Sequence, residues 1–302
     1  KFNIGTGLKK TFLKKSRIVK INSDQASLSS LGKILNISWF TPQMSVLFLS
    51  SMSEKRRFID RLTLSIDNLH LNRVYRYEKL FRQRNKVLMQ SNFDNTWLDT
   101  IEAQISELSI AITARRLDLI EALESLYKAE LKNNSLSEYF PSAGIIIKGR
   151  IESLLIEKPA AEVEDYIKSE LKKSRSDYDL SISGPNNATV EIFNKKNNKN
   201  LDISSTGEQK LLLISIILSH ARMLYNKFNM APILLLDDII EHLDKKYRTA
   251  LFLEISRYNA QSWFTSTSKD AFSNFPSFID KINLPKIKER SNSNYHFRNG
   301  DI

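Results

Sequence analysis

The sequence contains no cysteine. This excludes a disulfide framework, a thiolate metal site and a thiol nucleophile, and it is typical of a protein in a reducing compartment. No uninterrupted run of about 18 apolar residues occurs, and no signal peptide is recognisable, so we expect no membrane-spanning segment. We therefore expect a cytoplasmic protein that has no membrane partner.

Glycine is scarce, with eight among 302 residues, and neither glycine nor proline occurs between residues 53 and 131. Apolar residues in this stretch recur three and four positions apart, which is typical of amphipathic helices. The pattern predicts two long helices folded back as a hairpin, with a break near residues 91–95. The second helix carries apolar residues at Leu98, Ile101, Ile105, Leu108, Ile112, Leu119 and Leu123.

Acidic residues are almost absent from the first 33 positions, which hold eight Lys and Arg against one Asp. Short β-like stretches at 17–21 and 34–40 predict a sheet edge with a basic rim. The whole chain has a formal net charge of +11 and a pI of about 9.5. Such a charge favours a polyanionic partner, and by itself it leaves DNA, RNA and an acidic membrane open.

The first predicted helix is strongly basic, with ten Lys and Arg against three acids between residues 55 and 86. Two interpretations remain open, a solvated helix face and a stripe that faces DNA. The basic residues, which we expect to be exposed, are Lys55, Arg56, Arg57, Arg61, Arg73, Arg76, Lys79, Arg82, Arg84 and Lys86.

The last third of the chain alternates between helical and strand patterns, which predicts a parallel sheet covered on both faces. Its apolar strand, residues 231–236, ends in Asp237 and Asp238. Ligands bind at the carboxyl ends of strands in such sheets. Adjacent residues alternate faces, so one carboxylate can hold Mg²⁺ while the other orients an attacking water. The alternative is that both residues only start a loop.

Residues 205–209, Ser-Thr-Gly-Glu-Gln, precede a helix predicted at 210–225. Backbone N–H groups and hydroxyls at a helix start favour phosphate. The alternative is an ordinary N-cap at Ser205 with Glu208 in the first turn.

The order of these features resembles that of the ABC-type ATPase heads, and the match is closer to the RecF family of DNA replication and repair proteins. Two of the matching motifs lie outside the ATPase motifs, namely the one that contains Thr41-Pro42 and the pair Gly184-Pro185. The residues that carry the resemblance are Trp39-Phe40-Thr41-Pro42-Gln43-Met44, Arg56-Arg57-Phe58-Ile59-Asp60-Arg61, Gly184-Pro185, Ser205-Thr206-Gly207-Glu208-Gln209-Lys210, Leu234-Leu235-Leu236-Asp237-Asp238 and Gly300-Asp301-Ile302.

The resemblance implies an α/β fold, an ABC/SMC-like ATPase head with a mixed β-sheet that a helical arm interrupts. The expected parts are the first portion of the head at 1–52, the arm at 53–170 and the rest of the head at 171–302. ATP and Mg²⁺ are the implied cofactors.

The resemblance also assigns roles to individual residues. Asp237 corresponds to the Walker B aspartate that holds Mg²⁺, and Asp238 to the catalytic acidic position. The expected nucleotide-binding residues are Ser205, Thr206, Gly207, Glu208, Gln209 and Asp244, of which Ser205 and Gly207 are the signature contacts and Asp244 is the D-loop aspartate. The expected DNA-binding residues are Arg56, Arg57, Arg61, Arg73 and Arg76.

The function that the resemblance implies is an ATP-dependent homodimeric DNA clamp with weak ATPase activity. It would act on double-stranded DNA and gap junctions and help to load recombinase with RecO and RecR. Two alternatives remain: another SMC-like ATPase, such as a head of the overcoming-lysogenization-defect nuclease type, and a scaffold that binds DNA or a partner without hydrolysis.

The sequence departs from the family pattern in several places, including Asn186, where the family usually has a His after Gly-Pro, and Asp238, where ABC-type heads usually have a Glu. No G-x-x-x-x-G-K-[ST] loop occurs, and Gly5-Thr6-Gly7 is only a degenerate echo of it. Because the chain begins with Lys1 in what reads as a strand, we expect the loop to lie upstream. Residues 263–267 carry no switch histidine, so a hydroxyl of Thr265 or Ser266 would sense the γ-phosphate.

Overall fold

The structure is a computed structural model that describes residues 2–11, 14–32, 34–44, 51–90, 94–133, 138–175, 184–241, 243–258, 260–272, 280 and 282. The motif Gly300-Asp301-Ile302 lies outside these ranges.

The N-terminal part forms an antiparallel sheet of three strands, in the order β1 (Ile4–Thr11), β2 (Lys14–Ile21) and β3 (Asp24–Ala26). Asn22 and Ser23 connect β2 to β3 with positive φ angles of 52° and 76°, as a two-residue turn of type I′ requires. A short helix, α1 (Leu28–Leu31), follows. Gly5, Thr6 and Gly7 all pair with β2, so these residues form a strand and not a phosphate loop.

A parallel sheet brings together strands that are far apart in the sequence. Its strands are β4 (Ile37–Phe40), β8 (Ile233–Leu236) and β9 (Ser262–Phe264), with β8 in the centre. Helix α7 (Thr206–Phe228) precedes β8, and α8 (Lys245–Ser256) connects β8 to β9. The predicted alternation of helix and strand with parallel pairing is confirmed.

Side chains alternate between the two faces of this sheet. Leu234 and Leu236 point into the main core, whereas Leu235 and Trp263, which are opposite each other, are 40% and 50% exposed. Among the described residues no element packs against these two side chains enough to bury them, so the coverage of this face stays a prediction.

Between β4 and Thr189 the structure describes five helices: α2 (Met52–Leu64), α3 (His70–Leu88), α4 (Asn95–Lys132), α5 (Arg150–Glu157) and α6 (Ala160–Lys173). The predicted break before α4 is confirmed. The prediction of one helix ahead of it is wrong, because two helices replace it. Ser65 donates its hydroxyl proton to the Leu62 carbonyl, and Asp67 accepts from the Leu69 amide. Such local bonds compete with helix continuation.

The apolar residues form two clusters. The larger cluster contains side chains of the parallel sheet, α7 and α8, together with Phe58 and Ile59 of α2. The smaller cluster joins α3, α4, α5 and α6, from Tyr77 to Leu171. This second cluster corresponds closely to the expected arm, while α2 packs with the head; the bounds 53–170 stay a prediction.

A second antiparallel sheet connects the arm to α7. It has the order β5 (Ala143–Lys148), β6 (Thr189–Asn194) and β7 (Lys199–Asn200). None of the helices in the described ranges combines the length and apolarity needed to cross a bilayer.

A buried ion pair joins the helices at the base of the arm. Arg116 of α4 donates from Nε and Nη2 to the two carboxylate oxygens of Asp60 on α2, at 2.8 and 2.9 Å, and from Nη1 to the Pro185 carbonyl at 2.6 Å. His70 Nε2 lies 2.7 Å from Asp60 Oδ1. Burial alone would raise the pKa of Asp60, but the hydrogen bonds from His70 and Arg116 lower it below its usual range.

A second buried arginine corrects the expectation of a basic stripe that is exposed throughout. Arg84 is fully buried and donates to Glu102 on α4 and to the Leu171 carbonyl. Lys55 is also buried and pairs with Asp202 at 2.6 Å. These two cations hold the chain together and are not available to an external ligand.

The Arg116 ion pair gives a test of the arm base. We expect Arg116→Leu to lower the free energy of unfolding by about 3–5 kcal/mol, because it leaves the buried Asp60 carboxylate without its main partner. Guanidinium chloride unfolding measures the loss. The neighbouring Arg115→Leu is a control, since Arg115 is half-exposed where it pairs with Asp67 and Asp118, and it should cost less than about 1 kcal/mol. Equal losses for the two variants would contradict a special role for the buried pair.

Candidate functional site

The carboxyl ends of the three parallel strands lie side by side. Phe40, Leu236 and Phe264 are directly paired across the sheet. The Asp237 amide continues the ladder by donating to the Phe40 carbonyl, and the Thr265 amide does the same to the Leu236 carbonyl. The residues that follow the last pair on β8 and β9 are therefore held at fixed positions by the sheet itself.

The Thr265 hydroxyl connects the two predicted carboxylates. It donates to Asp237 Oδ1 at 2.5 Å and accepts from the Asp238 amide at 3.1 Å. Asp238 has a φ of 49°, in the left-handed region that Asp tolerates better than most L residues. Asp237 is exposed and Asp238 is half-buried. Different roles for the two carboxylates are therefore sterically reasonable.

Glu241 organises the chain after β9. Its Oε1 atom accepts from the Thr267 hydroxyl and amide, both at 2.5 Å, and from the Ser266 hydroxyl at 2.9 Å. Hydrogen bonds from the Thr267 side chain, the Thr267 amide and the Ser266 hydroxyl lower the pKa of Glu241 to about 2. The hydroxyls of Thr265 and Ser266, both predicted as phosphate sensors, thus already have carboxylate partners.

Lys210 of α7 supplies positive charge to the same end of the sheet. Its Nζ atom lies 5.8 Å from the centre of the Phe40 ring. Burial lowers the pKa of Lys210, and the charges of Asp238 and Glu241 oppose this effect. The site therefore combines three carboxylates, three hydroxyls and one partly desolvated ammonium group.

The start of α7 shows the N-cap that the sequence allowed. Ser205 and Glu208 form a capping box, in which the Glu208 amide donates to the Ser205 hydroxyl and the Ser205 amide to the Glu208 carboxylate. Lys199 first, and the Ser205 amide second, lower the pKa of Glu208. Gln209 is buried and donates to the carbonyls of Leu201 and Ser204. These two side chains serve the local structure.

Thr206, Gly207 and Asp244 differ from these residues because they face outward. Thr206 and Gly207 are exposed in the first turn of α7, and a Cβ atom on Gly207 would meet no atom within 4 Å. Asp244 is the exposed N-cap of α8, and its side chain forms no capping hydrogen bond. These positions are open to an external partner.

The five arginines predicted to bind DNA lie on two helices and differ in their surroundings. Arg56 donates to the Ala188 carbonyl, Arg57 pairs with Glu54, Arg73 pairs with Asp67, and Arg76 donates to Gln104. Arg61 is half-buried against the rings of Trp39 and Phe58, and burial lowers its pKa. Their role in DNA binding stays a prediction.

Comparison with known proteins identifies relatives over most of the chain, although no protein-family model matches it. The DNA replication and repair protein RecF of Agrobacterium fabrum is 36% identical over 274 residues, which cover 89% of this chain and 72% of the relative. RecF of Mesorhizobium japonicum is 36% identical over 275 residues and is covered to 71%.

The chain belongs to the RecF family.

A solved structure described as the recombination mediator protein RecF-ATPrS in the RecFOR pathway matches the fold. It has a TM-score of 0.72 at 20% identity and covers 89% of this chain and 72% of the solved one. A second structure, of RecF-ATP in the same pathway, gives a TM-score of 0.69. The predicted fold class, an ABC/SMC-like ATPase head interrupted by a helical arm, is confirmed.

The structure brings together some predicted site residues and separates others. Asp237, Asp238 and Thr265 meet at one end of the parallel sheet, whereas no described hydrogen bond or ion pair connects them to residues 205–209. The predicted site residues did not include Glu241, Lys210 and Thr267. Glu241 follows Asp237 by four residues, and Lys210 ends the motif that begins at Ser205. This closeness to predicted site residues was the only feature of the sequence that could have indicated them.

The hydrogen bonds to Glu241 predict a measurable titration. We expect Thr267→Val to raise the pKa of Glu241 from about 2 towards its ordinary value of 4.5, because the largest stabilising hydrogen bond is lost. The stability that this carboxylate adds is present above pH 4.5 and is lost as the pH falls towards 2. Titration of the Glu241 carboxyl carbon by NMR measures the shift.

The matched control for this titration is Thr249→Val. The Thr249 hydroxyl donates to the Lys245 carbonyl on α8, so its removal should leave the pKa of Glu241 unchanged. An unaltered pKa in Thr267→Val would show that Thr267 does not hold the carboxylate.

Proposed function

We propose that this chain acts as a RecF-type ATP-dependent DNA clamp in replication and recombinational repair. Two copies would close around ATP and Mg²⁺, hold duplex DNA at gaps and single-strand junctions, and help to load recombinase together with RecO and RecR. The observation that carries this proposal is the paired Asp237 and Asp238 at the carboxyl end of β8, fixed by Thr265.

The carboxylate of Asp237 fits Mg²⁺ that is held jointly with phosphate. Thr265 occupies its Oδ1 atom, and the side chain is exposed. Within the described ranges no three His, Asp or Glu side chains are grouped as a metal site. Mg²⁺ commonly uses one or two carboxylates and completes its ligands with water and substrate phosphates, where it would stabilise the charge of phosphoryl transfer.

Asp238 is suited to orient a water molecule. It has a left-handed backbone and is half-buried beside the exposed Asp237, and the Thr265 hydroxyl accepts from its amide. Its carboxylate is shorter than the Glu of many ABC-type heads, so it reaches less far. We expect slow hydrolysis, as suits a timed switch, with Lys210 providing a nearby positive charge.

Gly207 supports a site completed by a second copy. Glycine in the first turn of α7 costs helix stability of roughly 0.5–1 kcal/mol relative to alanine, and no described atom lies within 4 Å of where its Cβ would stand. A close approach from outside would explain the missing side chain. Ser205, Thr206 and Gly207 would then contact ATP held by the partner subunit, with Asp244 near the same interface.

The 302 residues contain no phosphate loop of the Walker A type. A complete site needs one, and reading the coding sequence upstream of Lys1 tests whether it exists. This gap favours one second candidate, a scaffold that binds DNA or a partner without hydrolysing nucleotide.

Nucleotide-dependent dimerisation separates the two candidates. We expect ATP with Mg²⁺ to convert a chain that carries the phosphate loop from monomer to dimer, and Ser205→Arg to abolish the dimer, because a guanidinium group would fill the space above the start of α7. Sedimentation velocity measures the change.

A control variant is Ser153→Arg, which changes an exposed serine in the first turns of α5 and should still dimerise. Absence of any dimer in the unmodified protein with ATP and Mg²⁺ would favour the scaffold over the clamp.

DNA binding that depends on phosphate contacts should respond strongly to salt. A protein that makes 6–10 phosphate contacts loses roughly 10³–10⁵ in affinity between 50 and 200 mM salt. We expect the affinity for duplex and gapped DNA, measured by fluorescence anisotropy, to fall by a factor within or below that range. An affinity that stays constant between low and moderate salt would rule out the clamp.

A further inference from the structure

The β1–β2 hairpin is a basic ribbon at the edge of the head. Its two strands pair along eight positions, from Ile4 opposite Ile21 to Thr11 opposite Lys14. At about 3.3 Å per residue the ribbon is about 26 Å long. No Asp or Glu occurs among residues 1–23. The cations of the hairpin are Lys9, Lys10, Lys14, Lys15, Arg17 and Lys20.

The register concentrates positive charge at the outer end of the ribbon. Lys10 is directly opposite Lys15, Lys9 is opposite Ser16, and Lys14 is opposite Thr11. Like charges that are directly opposite destabilise a pair of strands. The hairpin therefore carries an arrangement that its own stability does not favour.

Alternation along the strands distributes these cations over both faces. One face carries Lys10, Lys15 and Arg17, and the other carries Lys9, Lys14 and Lys20. Val19, at the inner end of the hairpin, is buried. Neither face of the outer half has the apolar pattern that a core requires.

The cations whose side chains are described here have no internal partner. Arg17 and Lys20 are exposed, and neither forms an ion pair with a described residue. The arginines predicted to bind DNA differ from them, since Arg73 pairs with Asp67 and Arg56 donates to a carbonyl. A phosphate must compete with those internal partners on the arm, but not at Arg17 or Lys20.

We propose that the β1–β2 hairpin is a contact surface for the phosphate backbone of duplex DNA, independent of sequence and nucleotide. This inference rests on the proposed function. It adds a DNA-contacting surface that does not include the arginines of α2 and α3 predicted to bind DNA. A two-stranded ribbon fits the major groove, which is about 12 Å wide, and a groove has phosphates on both sides. A flat anionic membrane would meet only one of the two basic faces.

The test is a hairpin variant with four substitutions, Lys9→Gln, Lys10→Gln, Lys14→Gln and Lys15→Gln. Binding to a fluorescein-labelled duplex is measured by anisotropy without nucleotide over a series of NaCl concentrations. Each lost phosphate contact reduces the slope of log K against log salt by about 0.9. We expect a slope reduced by about 2 or more and an affinity at least about tenfold weaker at 50 mM salt.

A control variant of equal charge separates a local contact from net charge. It carries Lys158→Gln, Lys168→Gln, Lys172→Gln and Lys173→Gln at and near α6, where Lys168, Lys172 and Lys173 already pair with acids. It should keep the slope of the unmodified protein. Thermal unfolding of both variants should match that of the unmodified protein, since all eight positions lie outside the two apolar clusters.

Each other outcome is informative. Equal losses in the two variants would reduce the effect to net charge and overturn the hairpin contact. Unchanged binding by the hairpin variant would also overturn it, while leaving the clamp proposal intact. Failure of the unmodified protein to bind duplex would overturn both. Hairpin-dependent binding to phosphatidylserine vesicles without duplex binding would assign the ribbon to a membrane instead.

Discussion

The pairing of β8 with β4 on one side and β9 on the other is the constraint on which the site depends. The hydrogen bonds from the Asp237 amide to Phe40 and from the Thr265 amide to Leu236 set the relative height of the strand ends. A shift by one residue would move Asp237 to the opposite face of the sheet. The carboxylates are thus positioned by backbone geometry first and by side-chain hydrogen bonds second.

The same pairing restricts the arm, which is inserted between β4 and β8 and must leave and return at one place. Helix α4 contributes Leu119 to the head cluster and Ile105 to the arm cluster, so one continuous helix spans both. Arg116 lies between them and connects α2 to the Gly184-Pro185 turn through Asp60 and the Pro185 carbonyl. If the arm moved relative to the head, these hydrogen bonds would have to break, or α2 and the Gly184-Pro185 turn would have to move together with α4.

The sequence was sufficient for features that depend on local pattern. Periodicity predicted α4, and the apolar run before Asp237 predicted β8 and the two carboxylates that follow it. Contacts across space could not be predicted in the same way: Glu241 meets Thr267 only because β8 and β9 are neighbours. The burial of Arg84 could not be predicted either, because its partner Glu102 lies on a different helix, α4. The resemblance to RecF proteins supplied the roles that spacing alone left open.

The exposed face of the parallel sheet gives the molecule a built-in optical probe. Trp263 is half-exposed on β9, two residues before Thr265, and on the same face as Asp237 by alternation along the paired strands. Indole emission shifts to shorter wavelength when water is removed from the ring. Any segment, nucleotide or second subunit that covers this face would therefore change the intrinsic fluorescence without an added label.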